Sequence, residues 1–157
     1  RVLFSDVAVV SRRDGVMSLM FRMANERGNQ IVEAALRVVL SRNEVTPEGE
    51  RVRRFHDLAL ARERNAAFAL SWTAIHPLTR ASPLHDTTLD ALRASDTLLI
   101  ITLVGIDETS GQTVHARHVY RPDDVRWNER FVDILTTLPD GRRQVDYRRF
   151  HDTEQTK

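Results

Sequence analysis

Two stretches of this chain alternate between apolar and lighter or polar side chains over most of their length: Phe68-Ala69-Leu70-Ser71-Trp72-Thr73-Ala74-Ile75 and residues 32–40. A period of two sends successive side chains to opposite faces of a strand, so Phe68, Leu70 and Trp72 share one face and Ala69, Ser71 and Thr73 the other. In the same way Val32, Ala34, Leu36, Val38 and Leu40 form a packing face that leaves Glu33, Ala35 and Arg37 outside it. A chain patterned like this folds into sheets.

Further strands are expected over residues 2–10, 18–25, 52–60, 112–120 and 130–138. Residues 98–104 are apolar on both faces and β-branched, which predicts a strand buried on both sides. Asp14-Gly15, Thr46-Pro47-Glu48-Gly49, Ser110-Gly111 and Pro139-Asp140-Gly141 punctuate these runs as hairpin turns do. Residues 87–94 alone read as helix, with Thr87 and Asp90 spaced as a capping box and Leu89 and Leu92 as the buried side. No repeat, linker or change of composition divides the chain, so residues 1–157 form one domain of ordinary size. Its expected architecture is all-β, an immunoglobulin-like β-sandwich with one short helix.

Composition excludes several classes. The chain has 23 basic against 22 acidic residues, a formal charge of +1, which leaves no nucleic-acid footprint. Lys157 is the one lysine, so 22 of the basic residues are arginine, suited to carboxylate pairing and interfaces. With no cysteine there is no disulfide, thiolate metal site or cysteine nucleophile. The longest apolar run, residues 97–106, is about half what a helix needs to cross a bilayer.

Catalytic motifs are missing too: no Gly-x-Ser-x-Gly elbow, phosphate-binding Gly-rich loop, His-Glu-x-x-His or calcium loop occurs. His115 and His118 lie three apart on an expected strand and so face opposite ways, which does not make a metal site. The acidic pairs Asp107-Glu108 and Asp123-Asp124 sit at turns and read as solvated. Arg51-Val52-Arg53-Arg54 reads as a solvated strand face, and Trp72 and Trp127 as core or interface aromatics. The chain is not expected to be an enzyme, and it carries no cofactor or metal signature.

At the level of exact words the chain resembles the C-terminal domain of inward-rectifier potassium channels, prokaryotic members most of all. The resemblance rests on ordered segments along nearly the whole length. They include Leu19-Met-Phe-Arg-Met-Ala-Asn-Glu-Arg27, Ile31-Val-Glu-Ala34, Arg53-Arg-Phe-His-Asp-Leu58, Leu70-Ser-Trp-Thr73, Ala116-Arg-His118, Phe131-Val-Asp133 and Asp146-Tyr-Arg-Arg-Phe150. It implies a β-sandwich on the cytoplasmic face of the cell membrane, assembled as a homotetramer beneath its own transmembrane pore domain, with the pore segments expected before Arg1. Without it, the residues fit a free-standing monomeric sandwich that binds an anionic ligand or a protein partner.

The resemblance also implies sites. Glu33 matches a pore-lining acidic position, where permeant K+ passes and Mg2+ or a polyamine can block. Four carboxylates ~6 Å from an axis would favour a divalent ion by roughly 5 kcal/mol in water-like dielectric and a monovalent ion by about half that, before screening. Pairing of Glu33 with Arg37 along the same face would quench such a ring. Gly105, Ile106, Asp107, Glu108, Thr109, Ser110 and Gly111 match a constricting loop, with Ile106 and Gly111 at its narrowest positions and glycines that free the backbone to change the aperture. Glu108 and Arg117 match a pair that braces the loop. Arg27 matches a basic residue near anionic phospholipid headgroups, although Gly28 follows where relatives carry lysine. Val104 replaces an acidic residue of strong rectifiers, and Ala61-Arg-Glu-Arg-Asn65 replaces lower acidic sites, which leaves Glu33 as the one acidic ring.

Overall fold

The computed structural model describes residues 1–156. In chain order the strands are β1 Val2–Phe4, β2 Ala8–Arg13, β3 Val16–Asn25, β4 Ile31–Val45, β5 Arg51–Asp57, β6 Arg64–Phe68 and β7 Ser71–Pro77. Helix α1, Leu89–Ala94, precedes β8 Leu98–Asp107, β9 Thr113–Tyr120, β10 Val125–Trp127, β11 Glu129–Phe131, β12 Leu135–Thr137, β13 Arg143–Val145 and β14 Thr153–Gln155. The expected all-β class is what the chain adopts.

Two five-stranded sheets make the body. In the first, β3 is central, with β7 along one edge and β1 and β2 sharing the other; β10 extends it by running parallel to β2. In the second, β4 pairs with β8 on one side and successively with β6 and β5 on the other, and β9 follows β8. Phe21, Met23, Leu36, Leu40, Phe68, Ile101, Leu103 and Tyr120 fill the space between the sheets. At about 25 cal/mol per Å² of apolar surface removed from water, such residues supply most of the driving force.

The outer side of the first sheet is covered as well. Ser18 to Asn25 of β3 are all buried; Leu19, Phe21 and Met23 belong to the inter-sheet core, while Ala24 joins a second apolar cluster with Val132, Ile134, Val145 and Phe150 of the C-terminal segments. Arg22 fastens this layer. Its guanidinium donates to the carbonyls of Phe150 at 2.8 Å, Val132 at 2.6 Å and Arg149 at 3.0 Å, and lies over the ring of Phe131 at 4.6 Å. Burial pushes its pKa down to about 10, against the pull of Asp152 and Asp133.

Several expectations from pattern are corrected by the fold. Residues 2–10 are two strands, because the chain turns at Ser5, whose carbonyl accepts from Tyr120 Oη at 2.7 Å. The alternating run Phe68 to Ile75 is divided between sheets, β6 joining β4 and β7 joining β3. Phe68 and Trp72 therefore meet edge to face across the core at 5.7 Å, while Leu70 packs into the second cluster. Strand β8 is buried on one face only, by Leu99, Ile101, Leu103 and Gly105; Leu98, Ile100, Thr102 and Val104 stay half-exposed. Residues 130–138 form β11 and β12, which pair with different partners. The helix starts at Leu89 rather than Thr87, and Thr88 caps it by accepting from Ala91 N at 3.1 Å.

Candidate functional site

Strand β4 does not keep the alternation its sequence suggests. Opposite β8, Val32 pairs with Ile106 and Ala35 with Val104, so Glu33 and Ala34 together face the single residue Gly105. This is a β-bulge, and Glu33, the extra residue, sits in the left-handed region at φ 52°. The bulge shifts the pattern by one: Ile31, not Val32, is buried with Ala34, Leu36, Val38 and Leu40. Val32 moves to the outer face beside Ile106. Glu33 itself is exposed and, among the described residues, has no ion pair. Arg37 does not quench it, because its guanidinium grips Asp57 at 2.7 and 3.3 Å.

Gly105 is needed here for closeness rather than for freedom. Its φ is not positive, and a Cβ placed on it would lie 2.4 Å from Ile31 Cγ2 and 3.3 Å from the Ala34 Cα. The expectation that both glycines free the backbone thus holds for Gly111 alone, at φ 71°. Gly105 and Ile106 belong to β8, and the turn proper is the β8–β9 hairpin tip from Asp107 to Gly111, closed by Gly111 N donating to Asp107 O at 2.8 Å. Ile106 stands outward, 39% exposed, on the face shared by Val32 and Val104.

The tip is held from its own strand ends and from the β3–β4 loop. Asp107 Oδ1 accepts from Thr109 N at 2.9 Å and Ser110 N at 3.1 Å, and its Oδ2 accepts from Asn29 Nδ2 at 2.7 Å. These donors, with Arg27 nearby, hold the Asp107 carboxyl below the usual carboxylate range. Glu108 N also donates to Gln30 O at 3.0 Å. The loop has its own anchor: buried Asn25 donates to the carbonyls of Asn29 at 2.7 Å and Phe68 at 3.1 Å and accepts from Arg27 N at 3.2 Å. Arg27 is exposed, and with Arg1, Asn29, Asp107 and His115 it lines a polar cleft.

The expected Glu108–Arg117 brace does not form within the chain. Arg117 pairs with Thr102, four residues and about 13 Å of strand from Thr113, while Glu108 lies beyond the far end of β8. Asn29 takes the bracing role instead. Pattern reading missed it, as it missed Arg22, because their partners lie 78 to 128 residues away; Asn25 was missed although two of its three partners are local. The arginine cluster on β5 is engaged internally: Arg53 donates to Ser41 Oγ at 2.9 Å and Arg54 lies 3.6 Å from Glu44. His115 is exposed and His118 turns inward to stack on Phe4, ring centroids 5.2 Å apart, so the two do face opposite ways. No three metal-ligating side chains converge among the described residues.

Four sequence-derived positions thereby gather at one end of the second sheet: Glu33, Ile106, the hairpin tip and the loop bearing Arg27. No helix among the described residues is long and apolar enough to cross a membrane. Residues 2–157 match the family model of the inward rectifier potassium channel C-terminal domain. The inward rectifier potassium channel Kirbac3.1 of Paramagnetospirillum magnetotacticum is 46% identical over 154 residues, covering 98% of this chain and 52% of that protein. The human G protein-activated inward rectifier potassium channel 3 is 39% identical over 156 residues, covering 97% of this chain and 39% of its own length. The human G protein-activated inward rectifier potassium channel 1 is 35% identical over 156 residues, covering 97% and 31%. The chain thus spans about half or less of the relatives it matches. That family consists of ion channels rather than enzymes, and the chain belongs to it: it is an inward rectifier potassium channel C-terminal domain.

Proposed function

We propose that this domain sits on the cytoplasmic face of the cell membrane, forms a homotetramer beneath its own pore domain, and extends the K+ pathway through a ring of Glu33 and a constriction at Ile106 and Gly111. The observation that carries this reading is the juxtaposition of Glu33 and Ile106. Both are exposed at the same end of the second sheet, the carboxylate next in sequence to Val32, which pairs with Ile106. Under fourfold symmetry the first concentrates cations and the second narrows the path by steric closure and dewetting. Block by internal Mg2+ or a polyamine at Glu33 follows from the same charge, since a multivalent ion gains more from the ring than K+ does.

Tetramerisation fits the outer face of the second sheet. Leu98, Ile100 and Val104 are half-exposed there, and Phe55 on the edge strand is 66% exposed. An apolar surface of this kind is suited to burial against a neighbouring copy. Arg27 projects from the end that carries the tip, where an anionic phospholipid headgroup would meet its guanidinium.

The test is Glu33→Gln in the full-length channel, with block by internal Mg2+ or spermine measured at fixed voltage. Loss of four charges is expected to weaken block by Mg2+ several-fold or more. Unchanged block would remove the Glu33 ring from the mechanism.

A further inference from the structure

The bulge at Glu33 exists on one side of β4 only. Against β6 the ladder is unbroken, with Ile31 opposite Phe68, Val32 opposite Ala67, Ala34 opposite Asn65 and Ala35 opposite Arg64. Against β8 the register jumps between Val32 and Ala35, so the extra residue is absorbed where Glu33 and Ala34 meet Gly105. Gly105 is buried there, and its φ is not positive, so it brings no conformation that another residue lacks. What it brings is the space of a missing side chain. A Cβ at this position would collide with Ile31 Cγ2 and stand 3.3 Å from both Ala34 Cα and Val32 O, two backbone atoms that cannot swing aside. Ile31, Val32 and Ala34 are the residues that flank Glu33. Bulges whose first residue is left-handed ordinarily have glycine at that residue; here it is a glutamate at φ 52°, exposed and, among the described residues, without an ion pair.

We propose that Gly105 is a positioning residue for the Glu33 carboxylate: by leaving room for the bulge it fixes how far each carboxylate stands from the ion path, and so sets the affinity for a multivalent blocking cation. The proposal rests on the reading of Glu33 as a pore-lining ring. Gly105 has no side chain to offer an ion; it acts through the backbone it admits. One added methyl pushes β4 from β8 or removes the bulge, and in either case Glu33 leaves the position that its left-handed backbone gives it. Coulomb attraction falls as 1/r, so withdrawing four carboxylates from ~6 Å to ~9 Å of an axis removes about a third of it, and a divalent ion loses twice what K+ loses. A change at residue 105 that alters no charge therefore weakens block by Mg2+.

The experiment measures block by internal Mg2+ at fixed voltage in open full-length channels, so that changes in opening do not enter. It compares the parent, Glu33→Gln, Gly105→Ala and the double variant Glu33→Gln with Gly105→Ala. Gly105→Ala is expected to weaken block several-fold, and Glu33→Gln to add little more in its presence, because the charge it removes has already been withdrawn. Ile31→Ala supplies the rescue by deleting the methyl nearest the added Cβ. Gly105→Ala with Ile31→Ala should assemble and recover block that Glu33→Gln weakens, even where Gly105→Ala alone yields no channel. Parent-like block in Gly105→Ala overturns the proposal, as does a rescue variant that stays inactive or indifferent to Glu33→Gln. The two levels separate on Glu33→Gln. If it leaves block unchanged in the parent, the ring reading itself fails and the proposal with it; if it weakens block equally in the parent and in Gly105→Ala, only the role of Gly105 fails.

Discussion

Glu33 occupies a backbone conformation that glycine adopts freely and other L residues adopt at roughly 1–2 kcal/mol. Strain of this kind at an exposed residue points towards function, because packing does not require it. It also makes the position testable apart from ion conduction. Glu33→Gly relieves the strain and should hold or raise the thermal midpoint of the domain. Glu33→Val, β-branched and stiff at χ1, should lower stability by about 1–2 kcal/mol. Thermal unfolding of the two variants checks this, and equal midpoints would mean that the bulge does not depend on a left-handed residue. Gly105 across the ladder shows the complementary constraint, since the bulge brings Ile31 and Ala34 where a Cβ would go. One position tolerates a side chain it would rather lack, and the other can have none.

Among the elements, β3 is under the heaviest demand. Its inner face builds the sandwich core, and its outer face supports a C-terminal layer made of three-residue strands, each too short to stand alone. Arg22 supplies what those strands lack by satisfying three carbonyls from two separate segments at once. Truncation to Met leaves the three carbonyls without their donor in a buried site, so Arg22→Met should destabilise by about 3 kcal/mol or more. The loss should concentrate in residues 129–156, seen as early proteolytic cleavage there before the sandwich body unfolds. Cleavage distributed evenly over the chain would show that the layer and the sandwich form one cooperative unit without a special role for Arg22.

The whole molecule carries a pH dependence set by histidines it buries neutral. His76, between the carbonyl of Ala59 at 2.6 Å and Ser82 Oγ at 2.7 Å, and His118, stacked on Phe4, both have pKa values below 6.5, chiefly because burial disfavours the imidazolium. Below pH 6.5 the unfolded chain takes up protons that the folded chain resists. Stability from these two groups is therefore complete above that pH and declines as pH falls towards the depressed folded values. Thermal midpoints measured from about pH 7 to about pH 5 should drop, and less steeply in His76→Gln. Identical slopes for parent and variant would place the acid sensitivity elsewhere.

By itself the sequence determined the all-β class, the turns at Asp14-Gly15, Gly49, Gly111 and Gly141, and the identity of the residues that converge on one end of the molecule. Alternation and turn chemistry are local, and local rules are readable from neighbouring residues. The exposure of Glu33 is expected from the alternating run, but it arises at a bulge that interrupts the run. Only the tertiary structure decided that the run is broken by a bulge, that Phe68 and Trp72 belong to opposite sheets, and that Asn29 rather than Arg117 holds the β8–β9 tip. These depend on which strands pair and in what register, a competition among contacts far apart in the chain that no window of sequence contains.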